Sequence, residues 1–221
     1  MRGGVNSILT SKWMKVAVFL LCLVPFAVLV SKAFQGGLGA NPVQFVEHWT
    51  GNWTLRFLII TLCITPLRKL FHVPQLIRFR RMLGLFAFFY ACLHFSTWVG
   101  IDRFFNLAAM WADVQKRRFI TAGFAGFVLL IPLAVTSTKG WIRRLGGKRW
   151  QLLHRAIYVS AIAGVIHYYW LVKSDERKPL QYAAIVVALL AWRVGVWLYK
   201  RWQKPATGNL PRKEPTTAET A

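Results

Sequence analysis

The chain has 221 residues, of which 56% are hydrophobic and only 16% charged, and its mean hydropathy is +0.40. Its seven acidic residues, Glu47, Asp102, Asp113, Asp175, Glu176, Glu214 and Glu219, all lie outside the long apolar runs and cannot keep so apolar a surface in water, so a soluble globular protein is excluded. Aromatic residues at 15%, three cysteines and 16 glycines without a period exclude a disordered chain, a disulfide scaffold and collagen.

Charge-poor stretches follow one another from Val16 to Ser31, Phe57 to Leu67, Met82 to Ile101, Phe119 to Thr138, Ala156 to Val172 and Pro179 to Trp192. The third and fourth are long enough, at about 1.5 Å per residue, to cross a hydrocarbon core of about 30 Å. The others reach that length by taking in flanking residues such as Trp13, Lys32, Arg56, His154 or Arg193, whose polar ends snorkel. The expected fold is therefore an all-α membrane protein, a bundle of six transmembrane helices over residues 1–203. A disordered cytoplasmic tail rich in Pro, Thr and Lys follows over 204–221. The first apolar run reads as a retained helix, because Lys32, Ala33 and Phe34 make a poor signal-cleavage site. Pro25, Pro66 and Pro132 are expected to kink or end helices.

A net charge of +22 raises the question of nucleic acid, but the cations are distributed as a membrane topology requires. Arg2, Lys12 and Lys15 precede the first span. Arg68, Lys69, Arg78, Arg80 and Arg81 join the second to the third, and Lys139, Arg143, Arg144, Lys148 and Arg149 the fourth to the fifth, with five more after the sixth. The other side carries Arg103, Lys116, Arg117 and Arg118 between the third and fourth spans, and Lys173, Arg177 and Lys178 between the fifth and sixth. The first set outnumbers the second by more than two to one, which places both termini in the cytoplasm. The basic residues thus act as topology determinants in contact with anionic lipid, and no nucleic-acid partner is implied.

Cys22, Cys63 and Cys92 fall inside spans and form neither CxxC nor CxxCH, so they read as small buried hydrophobes. The histidines carry more. His48 and His72 sit in connections, whereas His94, His154 and His167 lie in predicted helices, where an uncompensated polar group is costly. His94 follows Arg81 by thirteen residues, which sets it about 20 Å beyond the cytoplasmic edge. His154 and His167 share the fifth span with the same separation, so His154 is near the cytoplasmic face and His167 at the depth of His94. Imidazoles at matched depth on two helices suit a six-coordinate b-type haem, and Gly84, Ala87, Ala91, Ala161, Ala163 and Gly164 leave room for a macrocycle or for close helix packing. Thirteen residues turn an ideal helix by about 220°, so His154 and His167 do not share one face and the inner histidine serves a different site.

At these residues the chain is recognisable. The stretches GGLGANP (Gly36 to Pro42), TGNWTLRFLIITLCITPLR (Thr50 to Arg68), RFRRMLGLFAFFYACLHF (Arg78 to Phe95), TSTKGWIRRLGGKRWQLLHRAIY (Thr136 to Tyr158) and IHYYW (Ile166 to Trp170) resemble the MsrQ-type (formerly YedZ) family, within the ferric-reductase-like transmembrane superfamily. The resemblance implies a haem-binding, multi-pass subunit of the bacterial inner membrane. Such a subunit passes electrons from the quinone pool to MsrP, a periplasmic molybdopterin enzyme that repairs oxidised methionines in envelope proteins. It puts the haem ligands on His94, His154 and His167 and brings flavin mononucleotide as an additional cofactor, with no motif that places it. The sulfoxide chemistry would belong to the partner, leaving this chain an electron conduit. Ferric reductases and NADPH oxidases resemble the same membrane core but append a flavin and nicotinamide domain; about a score of residues follow the sixth span here, and no GxGxxG follows a predicted strand.

Arg78, Arg80, Arg81, Arg149 and Arg155 border the cytoplasmic ends of the third and fifth spans and are read either as contacts for haem propionates or a flavin phosphate, or as topology determinants. Arg56 interrupts the second span and either snorkels to the outer interface or meets a propionate of the outer haem; Arg193 has the same two readings. Trp49, Trp53, Trp98, Trp111, Trp141, Trp150, Trp170 and Trp202 cluster at span ends as an aromatic belt. The outer loops Gln35 to Asn52 and Asp102 to Arg118 are the docking candidates by position. Two other functions compete: a stand-alone transmembrane ferric or metal reductase, and a histidine-lined metal transporter, the latter disfavoured by the lack of carboxylates within spans.

Overall fold

A computed structural model describes residues 9–172 and 176–203. Arg2, Lys173, Asp175 and the expected tail over 204–221 lie outside the described residues. The described residues are predominantly helical, with no strand among them.

Helix α1 (Lys12–Phe34) starts at Ser11, whose hydroxyl oxygen accepts the Trp13 N–H at 3.2 Å. Helix α2 (Pro42–Leu70) starts at Asn41, which accepts the Gln44 N–H at 3.2 Å, with proline in the first turn where no donor is needed. A 3₁₀ turn, Pro74–Leu76, leads into α3 (Ile77–Thr97), which runs on as a π-helical turn, Trp98–Asp102. Helix α4 (Leu107–Lys116) is capped by Asn106 and followed at once by α5 (Arg118–Val135). The short helices α6 (Lys139–Leu145) and α7 (Gly147–Leu153) are hinged at Gly146, whose φ of +73° favours glycine. Helices α8 (Ala156–Leu171) and α9 (Arg177–Trp202) complete the described chain.

Four segments are long and apolar enough to cross a membrane: Lys12–Phe34, Pro74–Asp102, Arg118–Val135 and Arg177–Trp202. The second and fifth expected spans correspond to α2 and α8 but fall outside that group. Helix α2 carries Glu47, His48, Asn52 and Arg56 in its outer half, and α8 has only 16 residues, about 24 Å of helix. The expected outer loop Gln35 to Asn52 is in large part the first three turns of α2, and the expected loop Asp102 to Arg118 contains α4.

Helix α2 packs chiefly on α3, and α5 on α8; contacts of α3 with α5 and of α2 with α8 join the two pairs. The centre of the packing is Leu58, Leu62, Ala87, Tyr90 and Ala161, all 2% exposed or less, while Leu21, Val24, Val128, Val187 and Val194 face outward as a lipid-solvated bundle requires. At the α5–α8 contact a Cβ on Gly126 would stand 3.3 Å from the Ala163 Cβ, so glycine sets the approach of the two helices. Pro25, Pro66 and Pro132 all lie inside helices.

Helix α1 is fastened by hydrogen bonds from two side chains of neighbouring helices. The Tyr90 hydroxyl accepts the Phe26 N–H at 3.0 Å and donates to the Cys22 carbonyl at 2.9 Å, entering the ladder where those two groups would otherwise meet. One residue away, the Pro25 carbonyl accepts Nε1–H of Trp49 at 3.0 Å. Trp49 therefore ties α2 to α1, a more specific task than the belt anchor expected of it. Replacing Tyr90 with Phe is expected to loosen α1 at a cost of about 1 kcal/mol. Unfolding in detergent should show a lowered midpoint, with helix content retained.

Candidate functional site

The long α2–α3 and α5–α8 contacts leave a cavity of about 370 Å³ between the pairs, toward the N-terminal ends of α2 and α5 and the C-terminal ends of α3 and α8, with His94 of α3 and His167 of α8 both in its wall. Their ring centroids are 5.9 Å apart and their planes cross at 76°, so two imidazoles placed 73 residues apart in the chain address one space.

Each ring is held by a backbone carbonyl. Nδ1 of His94 lies 3.0 Å from the Glu47 carbonyl oxygen, and Nδ1 of His167 lies 2.7 Å from that of Phe119. A carbonyl only accepts, so both Nδ1 atoms carry the proton and donate it, and the unprotonated nitrogen of each ring is Nε2. The Thr50 hydroxyl, 3.5 Å from Nδ1 of His94, is itself committed to the Val46 carbonyl at 2.6 Å. Two neutral imidazoles with Nδ1 tethered and Nε2 available form the donor set that a metal bound through histidine requires.

Glycines make room for both rings. A Cβ on Gly51 would stand 3.2 Å from Cε1 of His94, and one on Gly123 only 2.6 Å from Nδ1 of His167. Gly126 and Gly164 also line the cavity, together with Leu55, Leu58, Phe95, Phe127 and Leu130. At its polar end stand Glu47, His48, Trp98, Asp102, Arg103 and Arg117. The indole Nε1 of Trp98 is buried without a hydrogen-bond partner. An apolar wall, tethered imidazoles and an orphaned donor at the polar end fit an iron porphyrin, apolar in its body and anionic at one edge.

His154 is elsewhere. Expected inside the fifth span, it instead caps α7, and the chain turns at His154–Arg155 before α8 begins at Ala156. The break removes the helical phase relation between His154 and His167. His154 lines a second cavity of about 490 Å³, nearer the α6–α7 connection, with Arg80, Arg81 and Arg155. Its Nε2 is 3.1 Å from the Thr136 hydroxyl, whose own proton goes to the Pro132 carbonyl at 2.6 Å. The hydroxyl therefore accepts from Nε2–H, and the unprotonated nitrogen is Nδ1, the reverse of the other two histidines. The ring stacks on Trp150, centroids 3.9 Å apart, and Trp150 donates Nε1–H to the Thr136 carbonyl at 2.9 Å. Phe88 lines the second cavity and Phe127 the first; their rings stack at 6.1 Å and, with Leu130 between both spaces, form the wall that separates them.

The remaining expected site residues are dispersed. The Arg78 guanidinium donates to the Leu9 carbonyl at 3.3 Å. Arg56 points outward, with Nε donating to the Tyr182 hydroxyl at 3.0 Å and its guanidinium 4.7 Å over the Trp53 ring, outside the walls of both cavities. Arg193 donates to the carbonyls of Leu189 and Leu62, joining α9 to α2. Sequence reasoning missed Gly51, Gly123, Trp98, Arg103 and Arg117 at the first cavity. The signal present in the sequence was the group of cations Arg103, Lys116, Arg117 and Arg118 between the third and fourth expected spans. His94 and His167 line one cavity and His154 another, and among the described residues no three His, Cys, Asp or Glu side chains converge on a metal-ion site.

Comparison with known proteins gives the class first. A family model described as the ferric reductase like transmembrane component matches residues 21–165. The chain is also 52% identical over 197 residues to a protein of Herminiimonas arsenicoxydans, covering 88% of each chain. It is 50% identical over 177 residues to one of Caulobacter vibrioides, covering 80% of this chain and 84% of the relative. With a protein of Ralstonia nicotianae the identity is 49% over 203 residues, covering 90% and 94%. All three relatives carry the name protein-methionine-sulfoxide reductase heme-binding subunit MsrQ. The chain belongs to the MsrQ family of ferric-reductase-like transmembrane proteins.

Gly123→Ala is expected to force the His167 ring off the Phe119 carbonyl, lowering the unfolding midpoint by the equivalent of about 1 kcal/mol. Gly147→Ala, where an added Cβ meets nothing within 4 Å, should leave the midpoint in place.

Proposed function

We propose that the chain is a haem-binding electron-transfer subunit in which His94 and His167 hold a b-type haem between α3 and α8. The observation that carries this reading is the matched tethering of the two imidazoles, each giving its Nδ1 proton to a carbonyl and keeping Nε2 for a ligand in the same cavity. When bound, the haem supplies one-electron chemistry by cycling between Fe(III) and Fe(II). The chain's residues fix the imidazole tautomers, exclude water with Leu55, Leu58, Phe95 and Phe127, and leave the outer end of the cavity polar.

In the fuller reading, α2 and α8 join the four apolar helices to make six spans, with both termini on the cytoplasmic side of the bacterial inner membrane. Electrons enter from membrane quinone and leave to MsrP, the periplasmic molybdopterin methionine-sulfoxide reductase that repairs oxidised envelope proteins; the relatives' shared name, which makes each a subunit, supports a partner of that kind. The second cavity belongs to the electron-entry side. Arg80, Arg81 and Arg155 give its wall the guanidinium groups that the phosphate of flavin mononucleotide or the propionates of a further haem require, and His154 stands there as the inner ligand.

Dithionite-reduced minus oxidised spectra of detergent-purified protein, with haem counted per chain, test the reading. His94→Ala and His167→Ala are each expected to remove the same b-type component, and His154→Ala a different one or none of it. A full b-type spectrum in His94→Ala protein overturns the assignment.

A further inference from the structure

The outer cations have a geometry that topology alone does not require. Asp113, almost fully buried on α4, bridges two arginines: Nε of Arg103 is 2.6 Å from one carboxylate oxygen, and Nε of Arg117 is 3.2 Å from the other. Arg103 also pairs with Asp102 at 3.3 Å. A cation on the outer side runs against the charge distribution of the chain. Both arginines nevertheless line the cavity of His94 and His167, beside the orphaned indole N–H of Trp98. Contact through Nε leaves further donors on each planar fork, and the shared carboxylate holds both forks in place. Arg117 is also the residue from which α5 starts, two positions before the carbonyl that tethers His167.

We infer that Arg103, Arg117 and Trp98 form the recognition site for the carboxylate edge of the ligand held by His94 and His167, with Asp113 as the residue that positions the two arginines. The site rests on the haem reading above, and the carboxylates it takes are then the haem propionates. It replaces Arg56, which the sequence offered for this role and which packs against Trp53 and Tyr182 instead. Glu47 and Asp102 stand in the same outer wall, so the arginines also offset the repulsion those carboxylates would exert on an anionic ligand edge.

Potentiometric titration of the purified, haem-loaded protein tests the inference. A guanidinium beside a propionate favours the ferrous state, so Arg103→Gln and Arg117→Gln should each shift the Fe(III)/Fe(II) ratio at fixed poise toward Fe(III) by several-fold. The double variant should reach tenfold or more, equivalent to about 59 mV. Arg117→Lys, which keeps the charge, should keep the ratio near that of the wild type, and Lys116→Gln, which removes an exposed cation from the same connection, should leave the ratio unchanged. Should the double variant lose its haem, the Asp113→Asn protein, with both cations retained, supplies the titration, and a ratio moved from wild type is expected there. Full haem content with an unmoved ratio in the glutamine variants overturns the inference and leaves the histidine assignment standing. Absence of haem from the wild-type protein instead overturns the histidine assignment itself.

Discussion

Two hydrogen bonds from imidazole to backbone organise the candidate site: His94 to the carbonyl of Glu47 and His167 to that of Phe119. Each spans from one helix to the next, so each needs the helix pair to be in register before it can form. The first draws on the α2–α3 contact, where Gly51 admits the ring, and the second on the α5–α8 contact, where Gly123 does. In an apolar interior an imidazole N–H without a partner is costly, and these carbonyls remove that cost while fixing which nitrogen is left for a ligand. The packing of the bundle and the chemistry of the cavity are therefore set by the same contacts.

Much of this was legible in the sequence because lipid imposes simple rules. The apolar centres of α1, α3, α5 and α9 follow from runs without charge, although α3 starts at Ile77, ahead of Arg78, Arg80 and Arg81, and α9 runs on through Arg193, Lys200 and Arg201. His94 and His167 share one cavity, as their similar depth suggested. What could not be read were relations between helices. Arg56 and Arg117 look alike in one dimension, each a cation near the outer interface. Only the rotation of α2 and the turn into α5 put the first against Trp53 and Tyr182 and the second in a cavity wall.

His154 shows the other limit. Continuous apolar character from Ala156 suggested that the helix extended back through His154, and periodicity gave no reason to stop it. The chain turns there, with Arg155 N–H bonded to the Leu152 carbonyl and Tyr158 N–H to the Arg155 carbonyl. The ring is kept instead by Thr136 and Trp150, residues read in the sequence as a span terminus and a belt anchor. Trp49 and Trp150 each place an indole N–H on a carbonyl of a neighbouring segment, which gives individual members of the aromatic belt structural tasks.

The stacked Phe88 and Phe127 rings, with Leu130, amount to a septum between the chamber of His94 and His167 and the chamber of Arg80, Arg81 and His154. Hydrocarbon side chains have no exchangeable hydrogen and offer water no foothold. Tunnelling traverses such a partition readily, whereas hydronium and hydroxide do not. The partition thus stands where hydronium and hydroxide would have to pass between the chambers, and it offers them no hydrogen bond on the way.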